Sequence, residues 1–175
     1  MSTLRGTAVS PGIAVGPALV VERDAVPVFR LSLSPGDVDG EVARLETALE
    51  ASRDQLRAVK ERMEKEVGAP HAYIFDAHLL MLDDPLLRAR AVEIVRAEAV
   101  NAEWALRTVS EELHGLFDAF SDAYLRERST DLDDVIGRVH LNLRGAPGAP
   151  TLENLPGPVV LVAGDLSPSE AAELD

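Results

Sequence analysis

Val38, Val42, Leu45, Leu49, Leu56, Val59 and Met63 recur at alternating spacings of four and three, with Ser52 the one weak position on the seam. A strand cannot keep that period, so the stretch is a long amphipathic helix with a coiled-coil-like stripe. Such a stripe must be covered by other helices, which limits the chain to a helical assembly around this segment. Ser34-Pro35-Gly36-Asp37 is a plausible start, with Ser34 as cap and Pro35 in the first turn, and Gly68-Ala69-Pro70 is the stop. Glu61 and Lys65, four apart, read as solvated helix surface.

Further helical patterns follow. Pro85 begins one that runs through Leu87, Ala91, Ile94 and Val95 to about Ala99. Asn101 can cap the next, in which Leu106, Val109, Leu113, Leu116, Phe117, Phe120 and Tyr124 fall at threes and fours. Ser129 or Thr130 is the expected start of a last helix through Leu132, Val135, Ile136, Val139 and Leu143, ending at Gly145. Four or five helices joined by short turns predict an antiparallel bundle.

The stretch from Tyr73 to Leu87 is unusual for a core helix. Leu79, Leu80, Met81 and Leu82 are consecutive and point to more than one side, so one interior face cannot bury them all. Asp83, Asp84 and Pro85 follow, with Asp84 placed to cap the next helix. Two readings stay open at this point. The stretch is a sharp corner between core helices, with His78 a packing histidine, or it is a Leu and Met surface rimmed by carboxylates that suits a basic protein partner.

The two ends have a different character. Ala18-Leu19-Val20-Val21 near the start and Val159-Val160-Leu161-Val162-Ala163 near the end are short apolar runs, the second with the look of a strand covered on both faces. Gly145-Ala146-Pro147-Gly148-Ala149-Pro150 is a linker by composition, and Ser167-Pro168-Ser169-Glu170 opens a helix with a capping box. A buried strand needs neighbours, so the ends are expected to meet. The predicted fold is mainly α: an antiparallel helical bundle, residues 34–145, inserted into an incomplete α/β lobe made of residues 1–33 and 146–175.

A net charge of −13 and 4% aromatic residues argue against nucleic-acid binding, because phosphates are repelled and stacking platforms are scarce. There is no cysteine, hence no disulfide framework, and no apolar run long enough to span a bilayer. With no stretch that reads as a signal peptide, a cytoplasmic location is expected. Glu111 and His114 form one Glu-x-x-His pair, but a di-metal bundle needs two such pairs and two more glutamates. His71 and His140 fall in no catalytic grouping, so no catalytic residue and no metal or cofactor ligand is assigned within the chain.

Four blocks, in order, resemble the N-terminal part of Enzyme I, the phosphoenolpyruvate-protein phosphotransferase family of the bacterial sugar phosphotransferase system. They are Ala8-Val9-Ser10-Pro11-Gly12-Ile13-Ala14-Val15-Gly16, then Ile74-Phe75-Asp76-Ala77-His78 through Leu82-Asp83-Asp84, then Tyr124-Leu125-Arg126-Glu127-Arg128 with Asp131, and finally Leu161-Val162-Ala163-Gly164-Asp165-Leu166-Ser167-Pro168-Ser169-Glu170. The resemblance implies that the bundle docks HPr, the small phosphocarrier protein, and that the split lobe begins a swivelling phosphohistidine domain. It implies an HPr-facing surface of Asp76, His78, Leu80, Met81, Asp84 and Leu87, with Arg128 from a later helix.

In that family phosphoenolpyruvate, bound with magnesium in a separate barrel, phosphorylates a histidine in a Gly-Gly-x-Thr-Ser-His motif. None of the four histidines here lies in that motif, so this chain alone is expected to be inactive in phosphotransfer. It is expected to be a monomer, and the parent protein a homodimer. Two positions depart from the family pattern: Ala69-Pro70 stands where many relatives have glutamates, and Ala171 where they often have threonine. The alternative to a phosphotransferase is a helical interaction adaptor without phosphate chemistry.

Overall fold

The stripe that begins at Val38 forms helix α1, Val38–Glu66, in a computed structural model of the chain. The structure describes residues 11–21, 27–119, 123–145, 157–164, 166 and 168–172. Strand β1, Ala18–Val21, precedes α1; helices α2, Ala69–Leu82, α3, Pro85–Glu98, α4, Ala102–Asp118, and α5, Ala123–Leu143, follow it, and then come strand β2, Val160–Ala163, and the short helix α6, Pro168–Ala171. The molecule is mainly helical with one small sheet, as the sequence predicts.

The links explain the packing. Val67 and Gly68 alone separate α1 from α2, with Gly68 at a φ of 105° that a side chain would resist. Asp83 and Asp84 separate α2 from α3. α1 touches each of the other four long helices, and α4 lies between α3 and α5. Leu45, Leu49, Leu56 and Val59 of the stripe are buried against Phe75 and Leu82 of α2, Leu87, Ile94 and Val95 of α3, Leu106 and Val109 of α4, and Leu132, Val135 and Val139 of α5. Ser52, the weak position, is fully buried and satisfied: its hydroxyl donates to the Ala48 carbonyl at 2.8 Å and accepts from Asn142 Nδ2 of α5 at 2.8 Å. A polar contact thus fixes the register of α1 against α5 where an apolar one would let it slide.

Two expected helix starts are corrected. Ser34 does not cap α1; its carbonyl accepts from Asp37 N in a turn, and the helix begins four residues later, at Val38. Ser129 and Thr130 do not begin a helix either, because α5 already starts at Ala123 and runs through them. Asp84 does cap α3, accepting from Leu86 N at 2.8 Å with Pro85 in the first turn. Asn101 stands at the cap position of α4 without capping it. Its Oδ1 accepts from Leu31 N at 2.9 Å and its Nδ2 donates to Glu103 at 2.9 Å, so it ties the incoming chain to the bundle.

The strongest polar knot lies at this end. Arg44 donates to both oxygens of Glu41 and of Glu103 and to the Leu143 carbonyl, linking α1, α4 and α5. Burial raises the Glu103 carboxyl, yet hydrogen bonds from Arg44, its own backbone amide and Asn101 outweigh that and hold it at about 2. Burial likewise raises Glu41, and the bonds from Arg44 and the Ala102 amide bring it below its ordinary value.

The two ends of the chain do meet. β1 and β2 pair in parallel, Ala18 opposite Val160 and Val21 opposite Ala163, with the whole bundle between them in sequence. β2 is not covered on both faces as its apolar run suggests: Val162 is 40% exposed and Val20 of β1 is 59% exposed, because the sheet has two strands among the described residues. Ala172, just past α6, is buried in the bundle's core, and Arg62 of α1 donates to its carbonyl at 2.8 Å. The capping Ser167 lies outside the described residues, as do residues 1–10, which hold Ala8, Val9 and Ser10 of the first family-like block.

Candidate functional site

α2 has apolar residues on every side, so its neighbours decide which become surface. Phe75, His78 and Leu82 are buried, Ile74, Leu79 and Met81 pack partly against the core, and Tyr73 and Leu80 face out at 69% and 73% exposure. Tyr73 and Leu80 are seven residues apart and share one face of α2. Leu86, in the first turn of α3, is 71% exposed. Exposed apolar side chains therefore stand on both helices of the α2–α3 corner, with the exposed carboxylate of the cap Asp84 between Leu80 and Leu86 in the chain.

Not all the expected surface residues are on that surface. Leu87 is 2% exposed and belongs to the core, because the Asp84 cap sets the phase of α3 so that Leu86 points out and Leu87 in. His78 is fully buried. Its Nε2 lies 3.5 Å from Asp131 Oδ1 and its Nδ1 3.6 Å from Asp134 Oδ2, both on α5, and its ring meets Phe75 edge to face at 5.7 Å. The histidine thus faces the α2–α5 seam instead of a partner. Met81 is half-buried, with part of its side chain left to the surface. Arg128 lies on α5, its side chain outside the described residues.

The carboxylates differ in how free they are. Asp76 pairs with Lys60 of α1 at 2.6 Å, and Asp83 with Arg53 of α1 at 2.6 Å. Hydrogen bonding to Asp83, set against burial, raises the Arg53 guanidinium above its ordinary value. Arg53 also binds Glu50, and Arg88 of α3 reaches Glu46 at 2.8 Å. The Arg53–Asp83 and Arg88–Glu46 pairs line a groove of about 370 Å³ together with Leu82, Pro85 and Val92. With its rim charges already matched, this groove offers apolar contact first.

Sequence reading missed Tyr73 and Leu86 as surface and Lys60 and Arg53 as partners of the acidic residues. The spacing of Tyr73 and Leu80 was a usable signal; the α1 cations gave none, since their reach to α2 depends on packing. Elsewhere, His114 pairs with Asp133 at 2.8 Å and Glu111 with Arg107 at 2.8 Å. Among the described residues no three His, Asp or Glu side chains gather so as to hold a metal ion.

A family model described as "PEP-utilising enzyme, N-terminal" matches residues 5–128, well over half of the chain. The chain belongs to the PEP-utilising enzyme N-terminal family. It is 38% identical over 172 residues to the phosphoenolpyruvate-protein phosphotransferase of Listeria monocytogenes serovar 1/2a, covering 98% of this chain and 30% of that protein. It is 36% identical over 175 residues to the protein of the same name from Bacillus subtilis strain 168, again covering 30% of it. The chain therefore spans about 30% of the length of these relatives.

Two solved structures share the fold of this family member. An NMR solution structure of Enzyme I (nEIt) matches with a TM-score of 0.80 at 34% identity, over 94% of this chain and 66% of that one. An N-terminal domain of Enzyme 1 - Nitrogen matches with a TM-score of 0.70 at 32% identity, over the same shares.

Proposed function

We propose that the bundle is a docking domain for HPr within a phosphoenolpyruvate-protein phosphotransferase, and that the α2–α3 corner is its landing surface. In this reading the parent enzyme passes phosphate from phosphoenolpyruvate through a histidine to HPr, with magnesium in a separate barrel, and serves sugar uptake in the cytoplasm. This chain supplies recognition. Residues 1–33 and 146–175 form the part of the phosphohistidine lobe that the bundle interrupts.

The observation that carries the reading is the exposure of Tyr73 and Leu80 on α2 and of Leu86 on α3, on either side of the Asp84 carboxylate in the chain, in a family member whose relatives carry the phosphotransferase name. Apolar centres with acidic rims suit a small basic carrier: the centre gives affinity, and the rim with the chain's charge of −13 raises the encounter rate. A small patch also suits a carrier that must leave after each transfer. The side chains assigned to contact are Asp76, Leu80, Met81 and Asp84, with Arg128 carried from the resemblance; His78 and Leu87 support the surface from beneath.

Isothermal titration of HPr into the chain tests this. Burying a leucine contributes about 1.5–3 kcal/mol, so L80A should weaken binding by roughly ten-fold or more, and L80K further, with unchanged melting. Equal affinity of wild type and L80K would reject the corner as the landing surface.

A further inference from the structure

We propose that Lys60 tempers the affinity of the corner: it holds Asp76 in an internal ion pair that a basic partner must share or displace. The inference rests on the docking reading above and adds to it a restraint that weakens binding.

The geometry is specific. Lys60 Nζ lies 2.6 Å from Asp76 Oδ1, and the next carboxylate, Glu64 on the same helix, is farther at 3.6 Å. Asp76 is thus the first partner of Lys60. Their side chains are 27% and 42% exposed, so a docking protein can reach both. Asp76, by its hydrogen bond, holds the Lys60 amine above the ordinary lysine value, and the group stays charged throughout the neutral range. The pair joins α1 to α2 at the turn of α2 that lies between the exposed Tyr73 and Leu80.

Two effects follow for a basic partner. The Asp76 carboxylate already has its cation, so an incoming lysine or arginine gains only what it takes from Lys60. Lys60 itself adds a positive charge to a surface that otherwise attracts cations, and like charges across an interface disfavour association. Asp84 is not restrained in this way. It spends one oxygen on the Leu86 amide and is otherwise exposed, so of the two carboxylates it is the readier to meet a partner's cation.

The test is a double-mutant cycle on the 175-residue chain, titrated with HPr at low and at high salt. K60M keeps the side-chain bulk and removes the charge. It should tighten binding by roughly two- to five-fold at low salt, the range of an exposed ion pair, with the gain shrinking as salt screens it. D76N should cost little in the wild type and more in the K60M background, since only there is the carboxylate free to serve the partner. K60R, which restores a cation, should return wild-type affinity.

Wild-type binding with no change or a loss in K60M, at unchanged melting temperature, would overturn the role of Lys60 and leave the docking reading standing. Failure of the wild-type chain to bind HPr at all would remove the docking reading and this inference with it.

Discussion

Replacing Glu103 by glutamine should flatten the acid limb of the stability curve. Glu103 receives Arg44 at 2.8 Å and Asn101 at 2.9 Å, and these bonds carry its carboxyl from 4.5 down to about 2 in the folded protein. A fall of that size corresponds to about 3 kcal/mol at ~1.4 kcal/mol per pH unit. Arg44 is 37% exposed, however, so solvent screening reduces the contribution to about 1–2 kcal/mol. The sign follows from the lowered value: the stabilisation is whole above the unfolded carboxyl's 4.5 and is lost as the pH falls through about 2. Glu41, also lowered and sharing Arg44, loses its part in the same direction.

Urea unfolding of wild type and E103Q at pH 7, 4.5, 3 and 2 measures this. The mutant should be less stable by about 1–2 kcal/mol at pH 7, and the gap should close towards pH 2. A gap that stays constant across the range would refute the reasoning, since it would mean that the Arg44 knot does not set the titration of Glu103.

Three further outcomes are expected. L87A should cost about 2–5 kcal/mol in chemical unfolding, as for a buried leucine, whereas L80A should stay within about 0.5 kcal/mol; equal costs would place the two side chains in equivalent surroundings. D84A should lose about 0.5–2 kcal/mol through the cap of α3, visible as a lower unfolding midpoint. Ala99 sits at φ 49° and ψ 55°, a left-handed conformation that costs an alanine, so A99G should stabilise the protein by up to about 1 kcal/mol; a lower midpoint would contradict the strain.

Much of the fold was readable because its signals are local and repeated. The stripe from Val38 to Met63 could form only one kind of element, and Asp84-Pro85 combines a side-chain acceptor with a residue that needs no amide partner. The pairing of β1 with β2 also followed, because an apolar strand requires a neighbour and few were on offer. The misplaced starts have a common cause. Ser34, Ser129 and Thr130 are residues that favour caps, but a cap also needs the chain to leave the helix there, and α5 has no such break at Ser129.

The site was half legible for a similar reason. An excess of apolar residues between Leu79 and Leu82 announced that some must be exposed, and Leu80 is. Which of Leu86 and Leu87 points outward depends on the phase of α3, which the Asp84 cap fixes and a run of two leucines does not. The burial of His78 depends on Asp131 and Asp134 arriving from α5, a tertiary fact. They stand three apart on one face of that helix, a pattern that indicates a shared neighbour without naming it.

Mapping the backbone amide signals of the labelled chain during addition of unlabelled HPr tests the central claim most directly. The account predicts shifts confined to one continuous patch, strongest around Tyr73, Leu80, Asp84 and Leu86 and weak at the Arg44 end of the bundle. Shifts centred on the Arg44 and Glu103 knot, or none at saturating HPr, would contradict it.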